Sequence, residues 1–488
     1  LSTVFASRTA PQTAHDPGRV LVDVAVMLGD GGECISDIAT LVDRADLFGG
    51  VGSDSTCWRV LDSIGAADLD AIAAARAAAR AVAWAQRAEQ TGVVLPASLV
   101  AGAPLLDREG RPVLVIDQDA TIVVCHSEKQ QAAATFKRSF GYHPLLNFGD
   151  NTNEALAGML RPGNAGSNTA ADHIAVLDAA LAQLPDEYRH GYPILLRSDG
   201  AGASKALLAH IRAQRETGVH TEFTVGWAVT EREHAAIAAL PAQAWTPAID
   251  IDGDSRDGAH VAELTGLLPP SMFTNYPDGM RIIIRRERPH PGAQLDLFEE
   301  RDGWRYTCFA TDTQAGQHAW LDARHRSHAR VEDRIRCGKH TGLGKFPSRQ
   351  FAINQAWLAC ALIAIDLIAW TQTILLADQP ELAKAEQRPC ATGCCTSPPA
   401  SSAAAAASTS RSTAPGPGRA RSPTPSTDST PCPSRLPEPP THARRQGPWS
   451  TRQIGGPGDQ QRLPPNPTPK DQQQAFTIAG SADLNRQG

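Results

Sequence analysis

The sequence predicts an α/β protein with a helical N-terminal region, a sheet-based core split by a mostly β insertion, and a disordered C-terminal tail. Three stretches carry that expectation. In Arg111–Cys125, four apolar residues from Val113 to Ile116 run into Asp117. In Tyr192–Ser204, Ile194–Leu196 lead to Asp199. The run HRSHARVEDRIRCGK has helical character and carries Glu332. Val- and Ile-rich runs suit strands buried on both faces. An acid at the carboxyl edge of such a strand faces a ligand crevice.

The N-terminal region, residues 1–107, reads as helical. Val20–Met27 is apolar and is broken at Gly29 to Gly32. Ser53 to Thr56 form an N-cap cluster before the next helix. Asp68–Gly92 is Ala-rich, carries Arg76, Arg80 and Arg87, and ends at a C-cap glycine. A helix-turn-helix of this kind suits a small DNA-binding element; composition alone favours a helical packing region.

The first part of the core spans 108–219. Ile122–Val124 continue the apolar run, which allows Asp117 to sit between two halves of a hairpin. Lys129, Lys137 and Arg138 alternate with Phe136, Phe140 and Tyr142. That mixture can line a nucleic-acid groove, although an ordinary sheet edge shows it more often. Ala170–Leu184 and Ala201–Gln214 read as helices. In 220–310, short apolar runs alternate with turns such as Asp252-Gly253 and Asp302-Gly303, the pattern of a β insertion. The core resumes over 311–387, with a helix at Ala323–Cys337. The apolar stretch Phe351–Ala377 contains Asn354, Gln355, Asp366 and Gln372. A mid-span Asp costs about 2.5–3.5 kcal/mol on insertion scales, so the stretch is expected as a buried helix packed on the sheet and no membrane partner is expected.

With 46 Lys and Arg against 52 Asp and Glu in 488 residues, the chain is not a polybasic DNA binder, but a local basic groove is compatible with it. The scattered cysteines form no CxxC pair and fit a reducing cytoplasm. The start lacks a charged-then-apolar leader, and its Leu1 suggests an alternative start codon or a truncation.

Two strand-end aspartates and a helical glutamate are the ingredients of a two-metal nuclease core. Phosphodiester attack needs an activated nucleophile and a neutralised leaving oxygen, and two Mg²⁺ (or Mn²⁺) about 3.5–4 Å apart supply both. Such ions take hard oxygen ligands, so a few carboxylates suffice. Asp117 is expected to bridge both ions, with Asp199 and Glu332 holding one each. A rival stands on the same strand. Asp117-Gln118-Asp119-Ala120-Thr121 fits the DxDx[TV] opening of haloacid-dehalogenase-type phosphatases, with Asp117 as nucleophile and Asp119 as general acid. The glycine loops at Gly200–Ser204 and Gly344-Lys345 lack phosphate-loop spacing. His325 and His328, three apart on a helix, suit exposed or DNA-facing positions better than a metal site.

The stretches VLVIDQDATIVVCHSEK, LLNFGDNTNEALAGMLRPGNAGSNTAADHI, LLRSDGAG, GMRIIIRRERPHPGAQL and RHRSHARVEDRIRCGKHTGL go further. Over roughly residues 15–385 the chain resembles bacterial insertion-sequence DDE transposases, the insertion sequence thirteen-eighty family with the group 1 DDE domain. The resemblance implies an RNase H-like catalytic core with a β insertion and DNA strand cleavage and transfer. It assigns catalysis and metal binding to Asp117, Asp199 and Glu332. It implies terminal inverted repeats and target DNA as partners, a homodimer in a synaptic complex, and a cytoplasmic, nucleoid-associated location. His325, His328, Glu332 and Lys339 stand where related transposases have Tyr, Arg, Glu and Lys. With Arg326 and Arg330, His325, His328 and Lys339 are the expected DNA contacts. An inactive remnant that only binds DNA is the alternative.

After about Gln387 the composition collapses to small residues, Pro and Arg that cannot bury a core, so 388–488 is expected to be disordered. Read one base earlier, Cys390–Ala400 accommodates LRYRLLHVAAR, which resembles the helix of the family at that point. A frameshift near residues 387–389 is therefore expected.

Overall fold

The computed structural model describes residues 1–8, 15–125 and 128–385, all within one compact unit. The expectations of a disordered, frameshifted tail fall outside the described residues. Among the described residues, three helices of nine or more residues stand in the N-terminal region. Helix α1 (Pro17–Gly29) starts with Pro17 at its first turn and Asp16 accepting from the Gly18 N–H, α2 (Asp54–Asp62) is capped by Ser53, and α3 (Ala66–Thr91) ends at left-handed Gly92.

The centre is a mixed sheet of nine strands. In chain order they are β1 (Leu114–Ala120), β2 (Leu145–Gly149), β3 (Ala155–Met159), β4 (Ile194–Ser198), β5 (Thr221–Trp227), β6 (Thr246–Ile249), β7 (Ser255–Glu263), β8 (Arg281–Glu287) and β9 (Arg305–Thr311). Their order in the sheet is β6-β7-β8-β9-β5-β4-β1-β2-β3. Strands β1, β2 and β3 pair antiparallel, whereas β4 and β5 join β1 in parallel. The expected β insertion is not a separate sheet: β9 pairs antiparallel with β5, so its four strands extend the same surface.

Helices cover both faces. On one side, α4 (Ala170–Ala182) and α5 (Lys205–Ala213) bury Val176, Leu177, Leu207 and Ile211 against Leu114, Ile116, Ile194 and Leu196. The other face meets α6 (His318–Arg326) and α7 (Arg330–Gly338), which replace the single helix expected at Ala323–Cys337 and are joined by a 3-10 turn at Ser327–Ala329. Helix α8 (Phe351–Trp370) is long and apolar enough to cross a membrane by length and composition. It is instead the centre of the core, with Trp357, Ala361 and Ala364 fully buried among α1 and β-strand residues such as Phe148 and Ala155.

Its one acid explains the Ala-rich helix α3. Asp366 is buried and ion-paired at 2.8 Å to Arg76 and 2.7 Å to Arg80, and Arg80 also reaches Glu154 at 2.9 Å. The α3 arginines therefore point into the protein, as a packing helix would have them. Ile122–Val124 do not continue β1; Val123–Val124 pair with Phe140–Tyr142 in a separate three-stranded sheet.

Candidate active site

Side chains alternate across a strand, so residues two apart share a face. On β1, Leu114 and Ile116 face α4, and Gln118 donates to the His173 carbonyl on the same side. Val115 packs with Leu195 of β4 and Ala323 of α6 on the opposite side. Asp117 and Asp119 follow Val115 on that face, and Arg197 and Asp199 follow Leu195. The α6–α7 face of the sheet thus carries a polar patch at the carboxyl ends of two adjacent parallel strands.

The lower layer of the patch is closed. Asp117 has no exposed surface. Arg197, also fully buried, grips it with two bonds of 2.7 Å, from Nε to Oδ1 and from Nη2 to Oδ2. The His328 ring meets Oδ1 at 2.9 Å and Arg334 meets Oδ2 at 3.2 Å. Asp150 completes the layer, paired with Arg197 at 2.9 Å, with Arg330 at 2.8 Å and with Arg334. Burial alone would raise the Asp117 carboxyl. The Arg197 charge and the bonds from His328 and Arg197 overrule it and hold the group well below the ordinary carboxylate range. Asp117 was expected at the crevice. It lies instead one layer beneath, because β1 runs on to Ala120 and ends three residues later than the apolar run suggested.

The upper layer is open. The register pairs Gln118 with Ser198, which sets Asp119 and Asp199 side by side one residue further on. Asp119 is half-buried, whereas Asp199 and Glu332 are exposed. Burial, then the charge of Asp199, with a smaller push from Glu332, raise the Asp119 carboxyl to about 6, against the pull of His328 and the Ala120 N–H. Asp199 caps a short turn by accepting from the Ala201 N–H at 2.9 Å. Behind it, Gly226 of β5 lets the two backbones touch: a Cβ there would stand 2.6 Å from the Gly200 nitrogen and 3.0 Å from the Asp199 carbonyl carbon.

Helix α7 is fastened to the lower layer by Arg330 and Arg334. Its neighbours along the same side follow the direction of β1. His328 bonds Asp117, Glu332 lies in the field of Asp119, and Lys339 donates to the Ile122 carbonyl at 3.2 Å. Burial and the nearby Lys137 lower the Lys339 ammonium, while Asp119 supports it.

The five basic residues expected against DNA all have partners inside the protein. His325 is half-buried, stacks on Phe309 with ring centroids 4.7 Å apart, and bonds Thr224 at 3.0 Å. Burial, with His328 and three arginines around it, pushes its pKa well down. Arg326 binds Asp322 and the Ile249 carbonyl. Arg330 also reaches the Leu99 carbonyl, and His328 and Lys339 are engaged as described.

Among the described residues, no three His, Cys, Asp or Glu side chains are already drawn together as a metal cage. The fit to a divalent ion lies in the donors. The carboxylates of Asp119, Asp199 and Glu332 are hard oxygen donors, and a bound cation would offset both the burial and the repulsion from Asp199 that raise Asp119.

Comparison with known proteins gives a family. A family model described as the group 1 transposase DDE domain matches residues 1–388. No curated protein matches the chain. Among solved structures, a piggyBac transposase synaptic complex with hairpin DNA is similar at 9% identity and a TM-score of 0.39, over 80% of this chain and 74% of that one.

Proposed function

The chain belongs to the transposases built on the group 1 DDE domain, and on that premise we propose that Asp119, Asp199 and Glu332 are its catalytic carboxylates, acting in DNA strand cleavage and transfer. The observation that carries this reading is the parallel register that sets Asp119 beside Asp199 at the carboxyl ends of β1 and β4, within electrostatic reach of Glu332. Asp117 takes a different part. With both oxygens in ion pairs, it anchors the helix that presents Glu332. The five strands β3-β2-β1-β4-β5, three antiparallel and two parallel, serve as the RNase H-like core, and the insertion widens it at one edge.

Two divalent ions, Mg²⁺ or Mn²⁺, held by the three carboxylates, would supply an activated hydroxyl or water and a neutralised leaving oxygen. The protein's own contribution is placement. The parallel register levels Asp119 with Asp199, and the Ala201 N–H fixes the Asp199 carboxylate. Arg330 and Arg334 hold α7 against the sheet, and Glu332 lies within electrostatic reach of Asp119. Lys339, tied to the Ile122 carbonyl, sets a positive charge beside the acids, where a phosphate oxygen would approach. A phosphatase that uses Asp117 as nucleophile is disfavoured, because that carboxylate is buried and fully paired. The element is proposed to be a bacterial insertion sequence whose inverted repeats are the substrate.

The test is cleavage of a plasmid that carries the gene with its own flanking DNA, in Mg²⁺. Asp119→Asn, Asp199→Asn and Glu332→Gln should each abolish nicking at the element ends while leaving the protein folded. Full activity in Asp119→Asn would refute the assignment.

A further inference from the structure

The chain leaves the catalytic edge of β1 and builds a small projecting hairpin before it returns as β2. Strands Ala133–Ala134 and Phe140–Tyr142 pair antiparallel. Thr135 and Ser139 close the tip, with a backbone bond of 2.7 Å and a hydroxyl–hydroxyl contact of 2.7 Å. Arg138 accepts a left-handed φ of 60° to make the turn.

The base of this hairpin is locked. A Cβ on Gly141 would stand 2.0 Å from the Val123 carbonyl oxygen, and one on Gly163 2.3 Å from the carbonyls of Ala133 and Gly141. Tyr142 is fully buried and donates to the Gln130 carbonyl at 2.9 Å.

The tip is different. Phe136 is 67% exposed and Phe140 39% exposed. The Lys137 ammonium sits 5.7 Å from the centre of the Phe136 ring. Among the described residues no carboxylate pairs with Lys137 or Arg138. Phe136 meets the His143 ring, tilted with centroids 5.6 Å apart, yet a large, mostly exposed ring on a rigid base, followed in the chain by two cations, adds little burial to the fold. It is what a stacked base and its two flanking phosphates require. Its location fits as well: Lys137 lies within electrostatic reach of Lys339, and Lys339 within reach of Asp119.

We propose that the Phe136 ring stacks on an unpaired base of the DNA strand being processed, with Lys137 and Arg138 on the adjoining phosphates. The ligand is a single-stranded or frayed DNA end, since a ring of this size meets a base face only where the base has left its stack. The inference rests on the transposase reading and adds the strand-holding element to it.

The test uses the full chain and two fluorescent probes: a 12-nucleotide single strand and the same sequence as a blunt duplex, titrated by anisotropy over a range of salt. Phe136→Ala should weaken single-strand binding by about tenfold and change duplex binding less than about twofold. Phe136→Trp should preserve or tighten single-strand binding. Lys137→Ala with Arg138→Ala should lower the salt slope by about 1.4 on the single strand. Wild-type binding that Phe136→Ala leaves unchanged overturns the stacking role while the transposase reading stands. A wild-type chain that binds neither probe overturns both. Phe136 is a surface residue, so neither substitution endangers folding.

Discussion

Asp119 and Asp199 stand level at the ends of two neighbouring parallel strands, one residue beyond the paired Gln118 and Ser198. Two residues below, Asp117 and Arg197 form a closed pair with no exposed surface. The two levels differ in electrostatics: the lower is neutralised by three arginines and a histidine in direct contact, whereas the upper acids have only the more distant His328 and Lys339 near Asp119. Asp117 and Asp119 therefore respond differently to removal of their charge.

Asp117→Asn should cost stability before it costs chemistry. Removing one partner of a buried ion pair leaves the other uncompensated, typically at about 3–5 kcal/mol. Arg197, bonded to Asp117 and Asp150, is left with one carboxylate. Urea denaturation of Asp117→Asn and Asp119→Asn side by side checks this. Asp117→Asn should lose several kcal/mol, and Asp119→Asn should be neutral or stabilising at pH 7.

In the metal-free protein the contribution of Asp119 to stability should fall as pH rises from about 4 to about 6. Asp119 has a folded pKa of about 6, above its ordinary 3.8. Between those values the folded state binds more protons than the unfolded one, so unfolding becomes easier with rising pH. Full expression of that difference is worth roughly 3 kcal/mol. Asp117 and Asp150 are shifted the other way and give stability that is lost only as pH falls below the ordinary carboxylate range. Thermal melts of wild type and Asp119→Asn at pH 4.5 and 7 separate the two contributions: the gap between the proteins should open on the alkaline side. Adding Mg²⁺ at pH 7 should close it.

Gly226→Ala should impair catalysis as well as stability. The new methyl would press on the Asp199–Gly200 backbone at 2.6–3.0 Å, shifting the carboxylate by a few tenths of an ångström or more. Misplacement of about 1 Å can cost on the order of a hundredfold in rate. End cleavage by Gly226→Ala should fall by tenfold or more in the folded protein, with a lowered Tm. Unchanged cleavage would show that Asp199 tolerates the displacement.

Most helices and strands were legible in local periodicity, and the proposed site keeps Asp199 and Glu332 from the sequence reading. Asp199 follows an apolar run and sits one residue beyond β4; Glu332 lies on a helix with a hydrophobic stripe through Val331 and Ile335. The proposed site departs from the sequence reading in taking Asp119 over Asp117, for a physical reason. Both face the same side of β1, and only the neighbours across the sheet decide which is capped by arginine. The signal was present in Arg197, a charge inside an apolar strand two residues before Asp199, which needed a buried partner. The pairing of Asp366 with Arg76 and Arg80 was out of reach, since nearly three hundred residues separate the partners. Arginines in an Ala-rich helix read as solvent-facing until the fold is known.

That long-range pair gives the last prediction. Helix α8 is apolar enough to pass for a membrane span, and Asp366 is what ties it to α3 through two arginines. Asp366→Ala leaves Arg76 and Arg80 in the interior with Glu154 as the remaining carboxylate near them. Burial already lowers the Arg76 pKa, and without Asp366 its charge is opposed by Glu154 alone. The variant should lose about 3–5 kcal/mol and expose apolar surface of α8. Replacing all three residues together, Asp366→Leu with Arg76→Met and Arg80→Met, removes the stranded charges and should recover part of the loss, though Glu154 then keeps only its bonds from Trp84 and Trp370. Chemical denaturation of the single and triple variants decides it. A triple variant less stable than Asp366→Ala would mean that the arginines hold α3 by hydrogen bonds to Glu154 and the Ala155 carbonyl, and that the ion pair with Asp366 is secondary.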